Sequence, residues 1–156
     1  MYPSSDDIVF ITSNVLDAMV NVEAAIGQPP TWNSKPRDVA GCVQISGAWQ
    51  GTVILQSTER FARQVAAHML AIAQDDVNTA DIQDAMAEIT NMIGGNIKSQ
   101  FPGPSFLSLA SVETSANVDF HLARSKTLND VTLTVENEPL RIVLCENLNQ
   151  EPAIAS

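Results

Sequence analysis

The chain has 156 residues, 45% of them hydrophobic, with 8 basic and 18 acidic side chains and a net charge of −10. That length and composition fit one globular domain with a real core and exclude a disordered chain. The positive charges are scattered, which argues against a basic stripe for nucleic acid or for an anionic membrane surface.

No apolar run approaches the roughly 18 residues of a membrane span. The N-terminus lacks a basic stretch followed by an apolar one, so no secretory signal is read there. Cys42 and Cys145 both fall in strand-like runs, without the paired spacing of a zinc site. Two free buried thiols fit a reducing cytosol, and the expected location is cytoplasmic. The expected organisation is a single domain over residues 1–150, with a frayed tail at 151–156.

In chain order, residues 5–27 predict an amphipathic helix. Ile8, Ile11, Val15, Met19 and Ala25 lie roughly on one side. Ser4 or Ser5 is the candidate cap, Asp6 and Asp7 suit its first turn, and Gly27-Gln28-Pro29-Pro30 stops it. A polar loop with Trp32 follows. DVAGCVQISG and WQGTVILQST then read as a hairpin turning at Gly47-Ala48. A second helix is predicted over about residues 58–73 with Ser57 as its cap, and AQDDVNTAD is a polar connector.

A third helix is predicted from about residue 80 to 100, with Thr79 as candidate cap and Pro102-Gly103-Pro104 as the stop. SFLSLASVET, NVDFHLARSK, DVTLTVEN and PLRIVLCEN then read as strands, the last two turning at Asn137-Glu138. Short turns imply antiparallel pairing. The fold class is therefore α+β: an antiparallel β-sheet with two long helices, 5–27 and 80–100, packed on one face.

The third helix carries the chemistry. Ile82, Ala85, Met86, Ile89, Ile93 and Ile97 form one stripe, and Asn96 falls within it, so Asn96 is expected to be buried and hydrogen-bonded to backbone. Asp84, Glu88, Asn91 and Gly95 fall on the other side, and Glu88 and Asn91 are expected to be exposed. Asn and Gly are poor interior helix formers, so their presence there needs a reason. Gly95 leaves the surface beside Asn91 bare for another chain to approach. Spacing alone leaves Glu88 and Asn91 as an ordinary polar face. Eight Glu and eleven Asn predict roughly half an E-x-x-N by chance, and Glu146 with Asn149 is a second one.

The longer string EITNMIGGNIKSQF resembles the signature helix of the CheC/CheX family of chemotaxis phosphatases. Glu88, Asn91, Met92, Ile93, Gly95, Asn96 and Lys98 fill that pattern. SNVLDAMVNVE resembles the first helix of CheX. CheC-type members carry two copies of the motif. The first helix here has Ile11 before Asn14 and Ala18 before Asn21, so a single copy points to the CheX kind.

The resemblance implies a phosphatase that removes the phosphoryl group from the aspartate of a CheY-like response regulator. By that resemblance Asn91 orients the attacking water and Glu88 pairs with the receiver lysine. It implies no cofactor on this chain, with Mg²⁺ on the partner receiver, and a homodimer. The rival expectation is a non-catalytic receiver-binding or flagellar-switch-like adaptor.

Other groups read as structural. His68 and His121 are far apart in sequence and lack ligand-spaced neighbours. Asp75, Asp76, Asp81 and Asp84 lack a Ca²⁺-loop pattern. No Ser, His and Asp set has a recognisable nucleophile elbow. Trp32 is a candidate contact, and Trp49 reads as packing or a dimer surface.

Overall fold

The computed structural model describes residues 2–22, 24–25, 32–33, 35, 37–114 and 116–148. Its elements are α1 (Ser5–Val20), β1 (Ala24–Ala25), β2 (Val39–Gly47), β3 (Gly51–Ser57), α2 (Glu59–Leu70), a 3-10 turn (Gln74–Asp76), α3 (Thr79–Lys98), β4 (Ser105–Leu107), β5 (Ser111–Thr114), α4 (Ala116–Ala123), β6 (Ser125–Val135) and β7 (Glu138–Asn147). The sheet has seven strands in the order β1-β6-β7-β3-β2-β4, with β5 also paired to β2. All pairings are antiparallel. The expected fold class is the observed one.

The helices begin where local chemistry lets them. The Ser4 side chain accepts the Asp7 N–H while Asp7 accepts the Ser4 N–H, a reciprocal capping box. α3 repeats the device with Asn78 and Asp81, so the cap is Asn78 and not Thr79. For α2 the cap is Thr58, whose hydroxyl accepts the Phe61 N–H at 3.1 Å. Ser57, the cap expected from sequence, is the last residue of β3.

α1 is shorter than predicted. It ends at Asn21, whose left-handed backbone (φ 52°) turns the chain out of the helix. The predicted stop at 27–30 and the tail at 151–156 lie outside the described residues, as does Asn149.

Alternation along the strands divides the molecule into two layers of core. Val43, Ile45, Val53, Leu55, Leu133, Val135, Leu140, Ile142 and Leu144 face α1, α2 and α3 and join their apolar stripes. Ala40, Cys42, Ile54, Val143 and Cys145 point to the other face, where Val118 and Leu122 of α4 cover them. The segment NVDFHLAR, predicted as a strand, is that helix. Its alternating pattern imitates a half-buried strand, but Val118 and Leu122 are four apart and meet the sheet together at helical spacing.

SFLSLASVET divides into β4 and β5, each pairing a different stretch of β2. The final hairpin turns at Glu136 and Asn137, both with positive φ (52° and 66°), one residue before the predicted turn. Trp49 is packing: its ring stacks on Phe101 with centroids 4.1 Å apart, and its Nε1–H donates to Glu146 at 2.8 Å. Both cysteines are buried free thiols, as expected.

Candidate functional site

α3 is held rigidly by its inner face. Ile82, Ala85, Met86, Ile89, Ile93 and Ile97 are all buried, as are Thr90 and Gly94. The last two are a correction to the wheel. The buried arc runs further toward Thr90 and Gly94 than the isoleucines indicate, because β2 offers small or complementary residues there. Gly41 lies under Thr90, and Val43 lies under Gly94. The Thr90 hydroxyl is satisfied within its own helix, donating to the Met86 carbonyl at 2.6 Å.

Asn96 is consequently exposed, not buried. It sits at the far edge of the stripe, beside the groove between α1 and α3 that Phe10, Asn14, Met92 and Gln100 also line. Its amide nitrogen donates to the Met92 carbonyl at 2.8 Å, so the expected backbone bond is present in solvent. Phe10 is 67% and Met92 44% exposed, an apolar pair flanking the signature helix that sequence reading missed. The signal was available: Phe10 adjoins the stripe of α1 without belonging to it.

Glu88 is exposed and Asn91 half-buried. They lie one turn apart on the side of α3 away from the isoleucines. Among the described residues neither side chain has a hydrogen-bond or ion-pair partner. Glu88 shares a shallow depression with Asp81, Asp84, Ala85, Met69 and Leu70. Three carboxylates therefore lie along this stretch of the helix, a field that favours a cationic group. Asp81 is committed to the cap of α3.

The paired glycines have different roles. A Cβ on Gly94 meets Val43 Cγ1 at 2.5 Å, so Gly94 is required for the helix to lie against the sheet. A Cβ on Gly95 meets only Leu107 Cδ2, at 3.7 Å. The fold itself makes no demand for glycine at 95.

The remaining candidates disperse. His68 is a surface residue of α2, Asp75 and Asp76 are exposed in the 3-10 turn, and Trp32 is half-buried. His121 is brought beside Glu113 and Cys42 on the opposite face of the sheet, a juxtaposition that sequence spacing did not reveal. No helix among the described residues is long and apolar enough to cross a membrane.

Comparison with known proteins agrees with this fold. A crystal structure of the chemotaxis protein CheX from Desulfovibrio desulfuricans superposes with a TM-score of 0.71 at 25% identity, covering 92% of this chain and 98% of that one. The CheX of Borrelia burgdorferi, solved as a complex with CheY, BeF3 and Mg²⁺, superposes with a TM-score of 0.71 at 19% identity, over 92% of this chain and 98% of that one. FliM from H. pylori, in its complex with SpeE, shares the fold at a TM-score of 0.57 and 12% identity, over 92% of this chain and 83% of that one. No curated protein matches the sequence. The family model for the chemotaxis phosphatase CheX matches residues 39–136, more than half of the chain and including the whole of α3, and the chain therefore belongs to the CheX family.

Proposed function

We propose that this chain hydrolyses the aspartyl phosphate of a phosphorylated CheY-type receiver. The observation that carries the reading is the unpartnered pair Glu88 and Asn91, one turn apart on the outer side of a helix whose inner face is fully buried. Family membership and the Borrelia relative's complex with CheY support the partner class.

An acyl phosphate is already reactive, so what it lacks is an aligned nucleophile. Asn91 accepts a hydrogen bond from water through its amide oxygen and holds that water in line with the scissile bond. The water oxygen bonds to phosphorus as the bond to the aspartyl oxygen breaks. The aspartate leaves as a carboxylate with the electron pair, and both hydrogens of the water leave with the inorganic phosphate as dihydrogen phosphate. Glu88 docks on the receiver lysine and sets the register. Gly95 leaves room beside Asn91 for the receiver's loops. Mg²⁺ is assigned to the receiver. The protein acts in the cytoplasm as one domain over residues 1–150, and as a homodimer, which light scattering at micromolar concentration tests.

The adaptor reading rests on the fold shared with FliM. Fold alone does not assign chemistry, and the retained Glu88 and Asn91 favour the enzyme. Mixing the protein with phosphorylated receiver and Mg²⁺ and following phosphate release tests the proposal. Accelerated release is expected. Tight binding with no acceleration sinks the phosphatase and leaves the adaptor.

A further inference from the structure

The face of the sheet opposite α3 carries a second constellation, unrelated to Glu88 and Asn91. Cys42 of β2 points to that face together with Ala40 and Ile54. Glu113 of β5 pairs with Ala40, two residues before Cys42 on the same face of β2, so the two side chains converge. α4 then crosses over them and supplies His121. Its Nε2 is 3.2 Å from Glu113 Oε1, and Cys42 Sγ is 3.6 Å from the same oxygen. All three donor atoms lie within 4.8 Å of one another.

We propose that Cys42, Glu113 and His121 form a binding site for a divalent transition metal of the zinc type, with a water completing a tetrahedron. The donor set is one thiolate, one imidazole and one carboxylate, the mixture that borderline-soft Zn²⁺ takes. Bonds of about 2.0–2.3 Å at tetrahedral angles set neighbouring donors about 3.3–3.7 Å apart. The separations of 3.6 Å and 3.2 Å are close to that scale.

The surroundings suit a tie rather than a reaction centre. Cys42 and the neighbouring Val118 are buried, which gives the sulfur a dry wall. The side chains of Glu113 and His121 are 27% and 39% exposed, which leaves a path for the ion and its water. Among the described residues, Val118 and Leu122 are the apolar side chains by which α4 meets this face of the sheet. A metal joining it to β2 and β5 adds a further anchor to a helix of about two turns.

The test uses the untagged chain, stripped with a chelator and titrated with Co²⁺ as a spectroscopic stand-in for Zn²⁺. Thiolate-to-cobalt absorption saturating at about one equivalent is expected. Zn²⁺ at about a hundred times its dissociation constant raises the thermal midpoint by about 5–10 °C. Cys42→Ser and His121→Gln each weaken binding by more than the ~10–100-fold typical of losing an outer hydrogen-bond partner of a metal ligand. Cys145→Ser retains the absorption and the thermal shift. His121 is half-exposed, so its variant folds even where Cys42→Ser does not. Absence of the absorption in the wild type, or its persistence in His121→Gln, overturns the site and identifies the cluster as a Glu–His pair whose carboxylate also accepts a hydrogen bond from the Cys42 thiol.

Discussion

Gly94 of α3 lies so close to Val43 of β2 that a methyl group on Gly94 comes within 2.5 Å of Val43 Cγ1. Val43 is fully buried and β-branched, so it has little freedom to move aside. The contact fixes the height of the signature helix above the sheet.

Gly94→Ala therefore destabilises the protein. Overpacking costs about 1–3 kcal/mol, only partly offset by the ~1 kcal/mol of better helix propensity. Gly95→Ala has the opposite sign. Its Cβ finds ordinary contact with Leu107, so the fold gains about 0.5–1 kcal/mol while phosphate release slows, because the new methyl group intrudes where the receiver docks. Urea denaturation of the two variants separates these effects. A Gly95→Ala protein with the wild-type rate removes the glycine from the docking surface.

Asn91→Ala is expected to lower receiver dephosphorylation by about 10²–10³-fold with the fold intact. The Asn91 side chain makes no hydrogen bond among the described residues, and Ala is the better helix former. Glu88→Ala lowers affinity for the phosphorylated receiver as well. Phosphate release and receiver titration on both variants decide the matter, and a wild-type rate in Asn91→Ala transfers the case to the adaptor.

Gly41 and Thr90 are coupled. A Cβ at Gly41 collides with the Thr90 hydroxyl and Cβ, both buried. Gly41→Ala alone is expected to cost about 1–3 kcal/mol. In a Thr90→Ala background most of that penalty disappears, giving a coupling energy of about 1 kcal/mol or more in a double-mutant cycle. Strict additivity would show that β2 and α3 relax apart more freely than this packing implies.

Asp38 immediately precedes β2 with 4% of its surface exposed and accepts the Lys35 N–H at 2.6 Å. Burial raises its carboxyl pKa, with the Lys35 backbone bond and charge pulling the other way. A carboxyl raised on folding lends stability below its unfolded pKa and loses it as pH rises through the folded value. At neutral pH the ionised group is thus a liability. Asp38→Asn keeps an oxygen for the Lys35 N–H, so its thermal midpoint at pH 7 is expected to exceed that of the wild type. The advantage fades as the pH falls toward the ordinary carboxylate value of about 4. A lower midpoint at pH 7 contradicts this account.

The elements with strong periodicity and clear punctuation were legible in the sequence. α3, its isoleucine stripe, the hairpin of β2 and β3, and the outward Glu88 follow from spacing and from flanking Gly and Pro, whereas Asn91, expected to be exposed, is half-buried. The failures share a cause: each depended on a partner distant in sequence. Asn96 was misassigned because the buried arc is set by Gly41 and Val43, fifty residues earlier. NVDFHLAR alternates like a strand, and only the small far-face core made by Ala40, Ile54 and Val143 selects the helix. Cys42 and His121 meet through Glu113 across three elements, so no local spacing announced them. The caps moved by one residue because Ser57 and Thr58, or Asn78 and Thr79, are chemically equivalent candidates.

The strand order also governs how the chain is made. β7 is the last strand among the described residues yet lies between β6 and β3, pairing β3 from Gly51↔Glu146 to Ser57↔Leu140. A nascent chain that has not yet released Glu138 leaves the whole β3 edge unpaired, although α3 is already synthesised. Closure of the sheet centre is then a late event with long loops to bring together, and the waiting edge is where synthesis is most exposed to aggregation.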